Sequence, residues 1–393
     1  MHKRNRWLLP EGIDEVLPPH AAQLDKLCRT LVDLFTGWGY ELVIPPLIEY
    51  LDSLLTGSGE DLDLQTFKIT DQLTGRMMGI RADTTPQVAR IDVHNLKRNT
   101  PARLCYLGPV VHTRPIGQGG TRIPLQIGAE LFGHKGVESD AEILSLMLKA
   151  MQLSGLRNVH VDLGHVGIYR GLSNKLKITA DQELLLFDAL QRKAAFELEK
   201  IIDDWAIPSE VAELLLGLTE LNGDIGILDD ARRLLASAGD DVLRGIEDLQ
   251  NIADLTLRQL KHAPLYFDLA ELRGYRYHTG MMFTAYIPGQ GQGVAFGGRY
   301  DDIGRAFGRS RPATGFSTDI KKLLDLNASM QEKRKAIFAP ASDVPGLHKA
   351  VEDLRQQGEI VIYELAGQEE CAKQMACDRE LVLVQGIWKV KKV

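Results

Sequence analysis

The chain has 393 residues, of which 44% are hydrophobic and 25% charged, an ordinary composition for a soluble globular protein of two or three domains. Its formal net charge of −7 gives no electrostatic basis for bulk nucleic-acid binding, although it does not exclude a local basic groove. The basic residues 1–6 are followed by no apolar signal-peptide segment, and no apolar run reaches membrane-spanning length, so the sequence predicts a cytoplasmic protein.

The cysteines give no indication of a metal centre. They show no metal-ligand spacing such as CxxC, and we interpret them as buried thiols of a reducing compartment. The four residues are Cys28, Cys105, Cys371 and Cys377.

The first part of the chain is predicted to begin with a helix and to continue in short strands. Apolar residues recur at helical spacing over residues 24–35, which predicts an amphipathic helix. Residues 39–49 are predicted to form a strand, and their prolines place it at a sheet edge or an interface. A hairpin over residues 65–81 leads into another helix, for which Thr85 is the expected cap and Pro86 the first helical residue.

Two longer strands and a helix are predicted next. The strands are expected at residues 103–112 and 123–132. Ser139 and Glu142 have the spacing of a capping box, which predicts that a helix begins there. A further short strand is expected at residues 159–163.

The composition changes between about residue 178 and about residue 262. Leucine, alanine, glutamate and lysine dominate this segment, which indicates a helical insertion without visible catalytic motifs. A strand pattern returns at residues 266–272.

The most distinctive stretch of the sequence covers residues 273–301. Two glycine-containing blocks, residues 273–280 and 297–301, flank a predicted hairpin with a glycine-rich tip. Both blocks carry arginine, whose fork of donors suits a carboxylate, and tyrosine, which offers a ring face and a hydroxyl. The pattern suits a site for a small zwitterion with a planar side chain; the alternative is a packed hairpin with exposed arginines.

The C-terminal residues are predicted to form a small α/β unit after a helix at 319–326 and a polar linker. We interpret its last lysines, Lys389, Lys391 and Lys392, as a solvated tail. The predicted elements of the unit are strands at 336–339, 360–365 and 380–384 and a helix at 346–357.

Strands followed by helices, mostly joined by short turns, predict an α+β fold with helices flanking an antiparallel sheet. The sequence has neither a GxGxxG motif after a first strand nor a Walker lysine motif. The predicted domains are a core in two parts, residues 1–175 and 265–328, a mostly helical insertion, residues 176–264, and a small C-terminal α/β domain, residues 329–393.

Six ordered motifs resemble those of histidyl-tRNA synthetases, which are class II aminoacyl-tRNA synthetases. The resemblance covers roughly residues 5–326 and implies a class II synthetase-like fold that dimerises through its first motif. The similar segments are residues 39–49 (first motif), 80–85 (amino-acid-binding strand), 106–109 and 126–130 (second motif), and 273–278 and 297–301 (histidine-recognition signatures).

The resemblance also implies a histidine pocket. Asp83 and Thr85, with Gln126 in reach, would hold the α-amino group, because a carboxylate pairs with an ammonium. Glu130 would face the imidazole N–H, and Arg273 would bind the ligand carboxylate. The structural alternatives are a helix cap for Asp83 and Thr85, an outward strand carboxylate for Glu130 and a surface ion pair for Arg273.

The remaining predicted pocket residues are aromatic. Tyr277 and His278 would line the imidazole pocket, although synthetases of the family usually carry two tyrosines there. Tyr300 would close the site, and its alternative is a core aromatic of the hairpin.

The sequence departs from the synthetases where ATP would bind. His112 stands where an arginine would hold the α-phosphate, and Arg114 could replace that arginine only if its loop shifts. Lys322 stands where an arginine would hold the γ-phosphate, and lysine lacks the planar fork. Asp319 replaces a glycine and would repel phosphate. These positions are therefore interpreted as a degenerate ATP site, which removes most of the stabilisation that adenylation needs.

A histidine pocket beside a degenerate ATP site resembles the regulatory subunit of ATP phosphoribosyltransferase. That resemblance implies a non-catalytic chain that needs no cofactor or metal, binds no tRNA and does not associate with a membrane. It also implies a homodimer inside a hetero-oligomer with the short-form catalytic subunit, and L-histidine as effector. The alternatives are a divergent, truncated histidyl-tRNA synthetase with residual aminoacylation chemistry, and a binding module that regulates another enzyme or RNA.

Overall fold

In the computed structural model the chain forms two compact units, Met1–Asn327 and Ala328–Val393, and no sheet in the described part of the chain contains strands from both. No helix of the described residues is long and apolar enough to cross a membrane. The structure describes residues 7–57, 60–115, 117, 120–176, 178–271, 274, 277–327, 335–365, 367 and 372–393.

A nine-stranded sheet forms the centre of the larger unit. Six of its eight neighbouring strand pairs are antiparallel, as predicted, whereas β1–β5 and β7–β9 are parallel. In spatial order its strands are β1 (Glu41–Val43), β5 (Ala102–Pro109), β6 (Leu125–Phe132), β12 (Ala313–Asp319), β11 (Ala295–Arg299), β10 (Met281–Tyr286), β7 (His160–His165), β9 (Leu265–Asp268) and β8 (Asn222–Gly223).

Helices surround this sheet, and a π-helix, Ile91–Leu96, directly follows α4. The larger unit contains the α-helices α1 (His20–Gly37), α2 (Leu51–Leu54), α3 (Glu60–Gln65), α4 (Thr85–Arg90), α5 (Val137–Leu153), α6 (Val166–Ser173), α7 (Ala180–Gln191), α8 (Ala195–Asp204), α9 (Ser209–Glu220), α10 (Ile227–Leu234), α11 (Asp240–Gln259), α12 (Ile303–Ala306) and α13 (Ile320–Leu326).

Helix α1 confirms the amphipathic helix predicted for residues 24–35, because Leu27, Leu31 and Phe35 are buried. Its Phe35 ring meets the edge of Phe316 on β12, with 5.7 Å between the ring centroids. Since alternate strand residues point to opposite faces, α1 covers the face that carries Phe316, and Gly315 faces the other side.

The strand predicted for residues 39–49 is divided by its prolines. β1 lies at the edge of the large sheet, whereas β2 (Ile48–Tyr50) lies at the edge of a three-stranded sheet with β4 (Met77–Ile80) and β3 (Phe67–Thr70). Proline has no N–H for a ladder, so the segment forms two short edge strands. The predicted hairpin is confirmed by the antiparallel β3–β4 pair.

The predicted capping box at Ser139 and Glu142 is wrong, because α5 begins at Val137 after Gly136. The Ser139 hydroxyl donates to the Gly136 carbonyl at 2.8 Å. The Glu142 carboxylate instead pairs with the Arg103 guanidinium of β5 at 2.7 Å. A long-range ion pair has therefore taken the side chain that the local pattern assigned to a cap.

The smaller unit has a four-stranded sheet backed by α14 (Leu347–Gln356). Lys389, Lys391 and Lys392 are exposed, as predicted, but they do not form a tail, because they lie on β16 and this strand pairs antiparallel with β15. Charged side chains on an edge strand discourage pairing with another chain, so a lysine-rich segment is compatible with a strand there. In spatial order the strands are β14 (Ile360–Tyr363), β13 (Ala336–Ala339), β15 (Arg379–Val384) and β16 (Ile387–Lys392).

Candidate functional site

The sheet register gathers polar side chains on the face opposite α1. Gln126, Gly128 and Glu130 alternate along β6 and therefore share that face. Tyr106 of β5 lies directly opposite Gly128, and Gly315 of β12 lies directly opposite Glu130. Neighbouring strands thus place a phenol and a glycine beside the two polar residues of β6.

Glu130 is held by a cage of hydroxyl groups and is only 1% exposed. Its Oε1 accepts from the Thr85 hydroxyl at 2.9 Å and from the Tyr106 hydroxyl at 3.1 Å, and its Oε2 accepts from the Tyr300 hydroxyl. Burial raises the pKa of Glu130 to about 8, although the bond from Tyr300 opposes the shift. The alternative of an outward strand carboxylate is therefore wrong.

Gly315 makes the space that this carboxylate occupies. A Cβ atom at position 315 would lie 1.6 Å from Glu130 Oε2 and 2.8 Å from the Ala129 carbonyl oxygen, closer than atoms can approach. The glycine and Tyr106 were not among the predicted site residues. Tyr106 begins the segment that resembles the second motif, so its position was the available signal.

The segment before α4 forms the second polar group of the site. Gln126 Nε2 donates to Asp83 Oδ1 at 2.7 Å, and Gln126 Oε1 accepts from the Thr84 N–H at 3.0 Å. The predicted cap at Thr85 is wrong: Thr84 is the cap, Thr85 and Pro86 are the first two helical residues, and the Thr85 hydroxyl reaches Glu130. The structure thus links Asp83, Thr85, Gln126 and Glu130 through direct hydrogen bonds or shared neighbours.

Two predicted tyrosines stack at the buried end of this group. The Tyr277 and Tyr300 rings lie 5.3 Å apart at 27°. Burial raises the pKa of both phenols well above the ordinary value. Among the residues that the structure describes, the buried Tyr277 hydroxyl has no hydrogen-bond partner. A buried hydroxyl of this kind is costly, so it is a candidate contact for a ligand.

His278 turns toward the backbone of β11. Its Nδ1 lies 3.3 Å from the Arg299 carbonyl oxygen, and burial lowers its pKa to about 4. The neutral ring therefore donates from Nδ1 to that carbonyl, which leaves Nε2 for other contacts. Arg273, the predicted carboxylate-binding residue, lies outside the described residues.

A cleft of about 960 Å³ opens in front of Asp83 and Gln126. His112 and Lys322 line it as well, whereas Glu130, Tyr277 and Tyr300 lie outside its lining. The predicted residues are therefore divided between an open cleft and a closed, buried end. In the described residues, no group of three or more His, Cys, Asp or Glu side chains is placed to hold a metal ion.

The residues at the predicted ATP site are engaged with the protein itself. His112 is buried, and its Nε2 donates to the Ala82 carbonyl at 2.8 Å, while its Nδ1 has no hydrogen-bond partner within the described part of the chain. Lys322 Nζ donates to the Gly293 carbonyl at 2.8 Å, and burial lowers its pKa. Arg114 is exposed and does not line the cleft.

Acidic side chains also lie at the predicted ATP site. Asp319 accepts from the Leu125 N–H at 3.0 Å and from the Lys321 N–H at 3.1 Å, and burial raises its pKa to about 6. The neighbouring Lys321 is paired with Asp14 at 3.0 Å. Asp14, Asp319, Asp325 and Asp83 all line the cleft, so its charge does not favour a triphosphate.

One buried arginine connects this site to the proline-containing segment between β1 and β2. The Arg81 guanidinium donates to the Pro45 carbonyl at 3.0 Å and to the Pro109 carbonyl at 2.8 Å. The Arg81 N–H donates to the Leu47 carbonyl at 3.0 Å, and Gln87 donates to the Pro46 carbonyl at 2.8 Å. Three consecutive carbonyls are thus fixed by residues on either side of Asp83.

Comparison with known protein families gives two matches. Residues 12–323 match the family model for histidyl-tRNA synthetase. Residues 334–391 match the model for the ATP phosphoribosyltransferase subunit HisZ C-terminal domain.

Solved structures share the fold. A crystal structure from Bacillus halodurans, described as an ATP phosphoribosyltransferase regulatory subunit/histidyl-tRNA synthetase, is 25% identical with a TM-score of 0.82, covering 94% of this chain and 96% of that chain. Histidyl-tRNA synthetase from Nostoc is 18% identical with a TM-score of 0.80 over 96% of this chain and 91% of that chain, which supports the fold alone. The predicted class II synthetase-like α+β fold is confirmed.

Curated relatives are much more similar in sequence. The ATP phosphoribosyltransferase regulatory subunits of Thioalkalivibrio sulfidiphilus and Nitrosococcus oceani are 57% and 52% identical, over 97% and 99% of this chain and 97% of each relative. The regulatory subunit of Pseudomonas aeruginosa is 51% identical over 98% of both chains. The chain therefore belongs to the family of ATP phosphoribosyltransferase regulatory subunits, which confirms the prediction of a regulatory rather than a catalytic chain.

Proposed function

We propose that this chain binds L-histidine at the Asp83–Glu130 site and regulates a separate catalytic subunit of ATP phosphoribosyltransferase, in the first step of histidine biosynthesis. It permits the activity of the short-form catalytic subunit and transmits feedback inhibition by histidine. The observation that carries the proposal is a pair of acids beside a buried tyrosine hydroxyl. Within the described residues the acids form no ion pair and the hydroxyl has no hydrogen-bond partner.

The contacts fit the two nitrogen-bearing ends of histidine. Asp83 lies at the cleft, where an ammonium group can reach its carboxylate, and Gln126 and Thr85 stand beside it. Glu130 and the Tyr277 hydroxyl lie at the buried end and offer partners for the two nitrogens of an imidazole ring. The ligand must reach Glu130 by opening the closed end of the site, because Glu130 does not line the cleft.

Feedback inhibition requires histidine to bind one assembly state more tightly than the other. Coupling between two sites is commonly worth about 1–3 kcal/mol, or about 5–150-fold in affinity. The Arg81 contacts to the Pro45 and Leu47 carbonyls give the histidine site a rigid connection to the segment between β1 and β2.

Residues 39–49, which include this segment, support the proposed homodimer inside the hetero-oligomer. Apolar residues there are unusually exposed: Ile44 is 81%, Ile48 41% and Leu42 46% exposed. Exposed apolar side chains in one contiguous segment commonly mark a protein interface.

A histidine titration tests the site through Tyr277→Phe. We expect L-histidine to bind the variant about fivefold more weakly, because one hydrogen bond is worth about 1 kcal/mol. The ligand-free variant should be as stable as the wild type or more stable, because the lost hydroxyl has no hydrogen-bond partner among the described residues. Calorimetry and thermal unfolding measure the two effects.

The matched control is Tyr266→Phe, whose hydroxyl bonds to Asn222 at 2.9 Å outside this site. It should lose stability without losing histidine affinity. Equal histidine affinity in Tyr277→Phe and wild type would contradict the role given to this tyrosine.

Regulation is tested in the assembled complex with Asp83→Asn. The histidine concentration that half-inhibits phosphoribosyl transfer should rise by about tenfold or more, because a charge-assisted bond to the ammonium is lost. Asp14→Asn is the control, since Asp14 lines the same cleft but pairs with Lys321. Unchanged inhibition of the Asp83→Asn complex would refute the proposed ammonium contact.

The alternative, a divergent and truncated histidyl-tRNA synthetase, predicts histidine-dependent exchange of pyrophosphate into ATP. We expect no exchange, and none after Lys322→Arg, because Asp319 still stands beside the phosphate position. Measurable exchange by the wild-type chain would favour the synthetase.

The dimer is tested with Ile44→Glu. Light scattering should show loss of the dimer, because a charge at an apolar interface must be desolvated. Phe196→Glu on α8 is the control, since Phe196 is 80% exposed but lies outside the segment. A dimer that survives Ile44→Glu would place the interface elsewhere.

A further inference from the structure

At the buried end of the site, the described residues offer Glu130 no basic partner. Within the part of the chain that the structure describes, no lysine, arginine or histidine forms an ion pair with Glu130. Burying an ionised carboxylate without a cation is costly, so the site favours a proton or a cationic ligand there. Three hydroxyl groups face Glu130, those of Thr85 of α4, Tyr106 of β5 and Tyr300 after β11. β12 contributes Gly315. Charge interactions also link Glu130 to Asp83 before α4, Tyr277 before β10 and Tyr40 before β1.

The carboxylate also has room for one more hydrogen bond. Its two oxygens offer about four acceptor positions. The hydroxyls of Thr85, Tyr106 and Tyr300 account for three of them. One position therefore remains for an N–H group of a ligand.

We propose that Glu130 and the imidazole ring of bound histidine share one proton, which makes histidine affinity depend on pH. The inference rests on the proposed histidine site and adds its charge state. The shared proton lies between the ring nitrogen of histidine and the Glu130 carboxylate. No covalent bond forms or breaks other than the bond to this proton.

The direction of the pH dependence follows from the two separate groups. Burial raises the pKa of Glu130 to about 8, and an ordinary imidazole titrates near about 6.5. Between these values the free protein already carries the proton and the free ring is neutral, so binding takes up no net proton. Above the higher value both groups are proton-free, and binding must take up a proton.

Affinity therefore falls by about tenfold per pH unit above the titration of Glu130. Below the titration of free imidazole both groups carry a proton, and one must leave on binding. Affinity then falls toward acidic pH as well. The expected profile has a plateau around neutral pH.

Titration calorimetry with L-histidine on the full chain tests the proposal without any substitution. Measurements in two buffers of different ionisation enthalpy give the number of protons taken up. We expect almost none at about pH 7.2. At about pH 8.8 we expect a contribution from Glu130 that approaches one, in addition to the uptake by the ligand's α-amino group. Equal uptake at both pH values would overturn the shared proton.

Glu130→Gln is the matched variant, because it keeps the shape and an acceptor oxygen but cannot take up a proton. Its alkaline uptake should fall to the contribution of the ligand's α-amino group, which both proteins share. The same uptake in wild type and variant would also overturn the proposal.

Tyr300→Phe provides a second variant if Glu130→Gln does not fold. Its lost hydroxyl bond lowers the pKa of Glu130 in the wild type, so the alkaline fall in affinity should move to higher pH. An unmoved profile would contradict the assignment to Glu130. Histidine that fails to bind at any pH would instead overturn the proposed site itself.

Discussion

A single buried carboxylate at Glu130 sets the arrangement of the site. Its hydroxyl donors come from α4, β5 and the turn after β11, so three separate parts of the chain converge on one carboxyl group. The space for this group depends on Gly315 in the adjacent strand. Because hydroxyls can donate without bringing charge, the cage holds the acid but does not compensate its charge when it ionises.

The charged groups at the two ends of the site have different surroundings. At the cleft, Lys322, a predicted phosphate position, donates to the Gly293 carbonyl, and the neighbouring Lys321 pairs with Asp14. Asp319 caps the start of α13. At the buried end, the described residues place no cation beside the Glu130 carboxyl group. The proposed histidine site and the proposed loss of the ATP site are therefore compatible within one sheet.

Much of the fold was predictable because local patterns agreed with the tertiary contacts. Helix α1 and the β3–β4 hairpin follow from apolar periodicity and turn residues. The two predicted helix caps were wrong because each side chain contacts a residue that is distant in the sequence. Glu142 pairs with Arg103, and Thr85 reaches Glu130, so neither serves as the local cap that its spacing suggested. β16 was missed because its lysines hide a strand pattern that only pairing with β15 reveals.

The site itself was predictable only in part. Asp83, Gln126 and Glu130 belong to motifs that resemble a known family, but the contribution of Gly315 depends on strand register, which the sequence does not display.

The Arg81 side chain also has a consequence for how the protein tolerates change. One guanidinium spans carbonyls from two separate parts of the backbone, and an ammonium group of lysine has no matching fork. A lysine at this position would leave at least one proline carbonyl without its donor. Arg81 therefore limits the substitutions that the exposed apolar segment can accept, because it anchors the backbone of that segment. Arg81 itself lies two residues from Asp83, the proposed partner of the ligand's ammonium group.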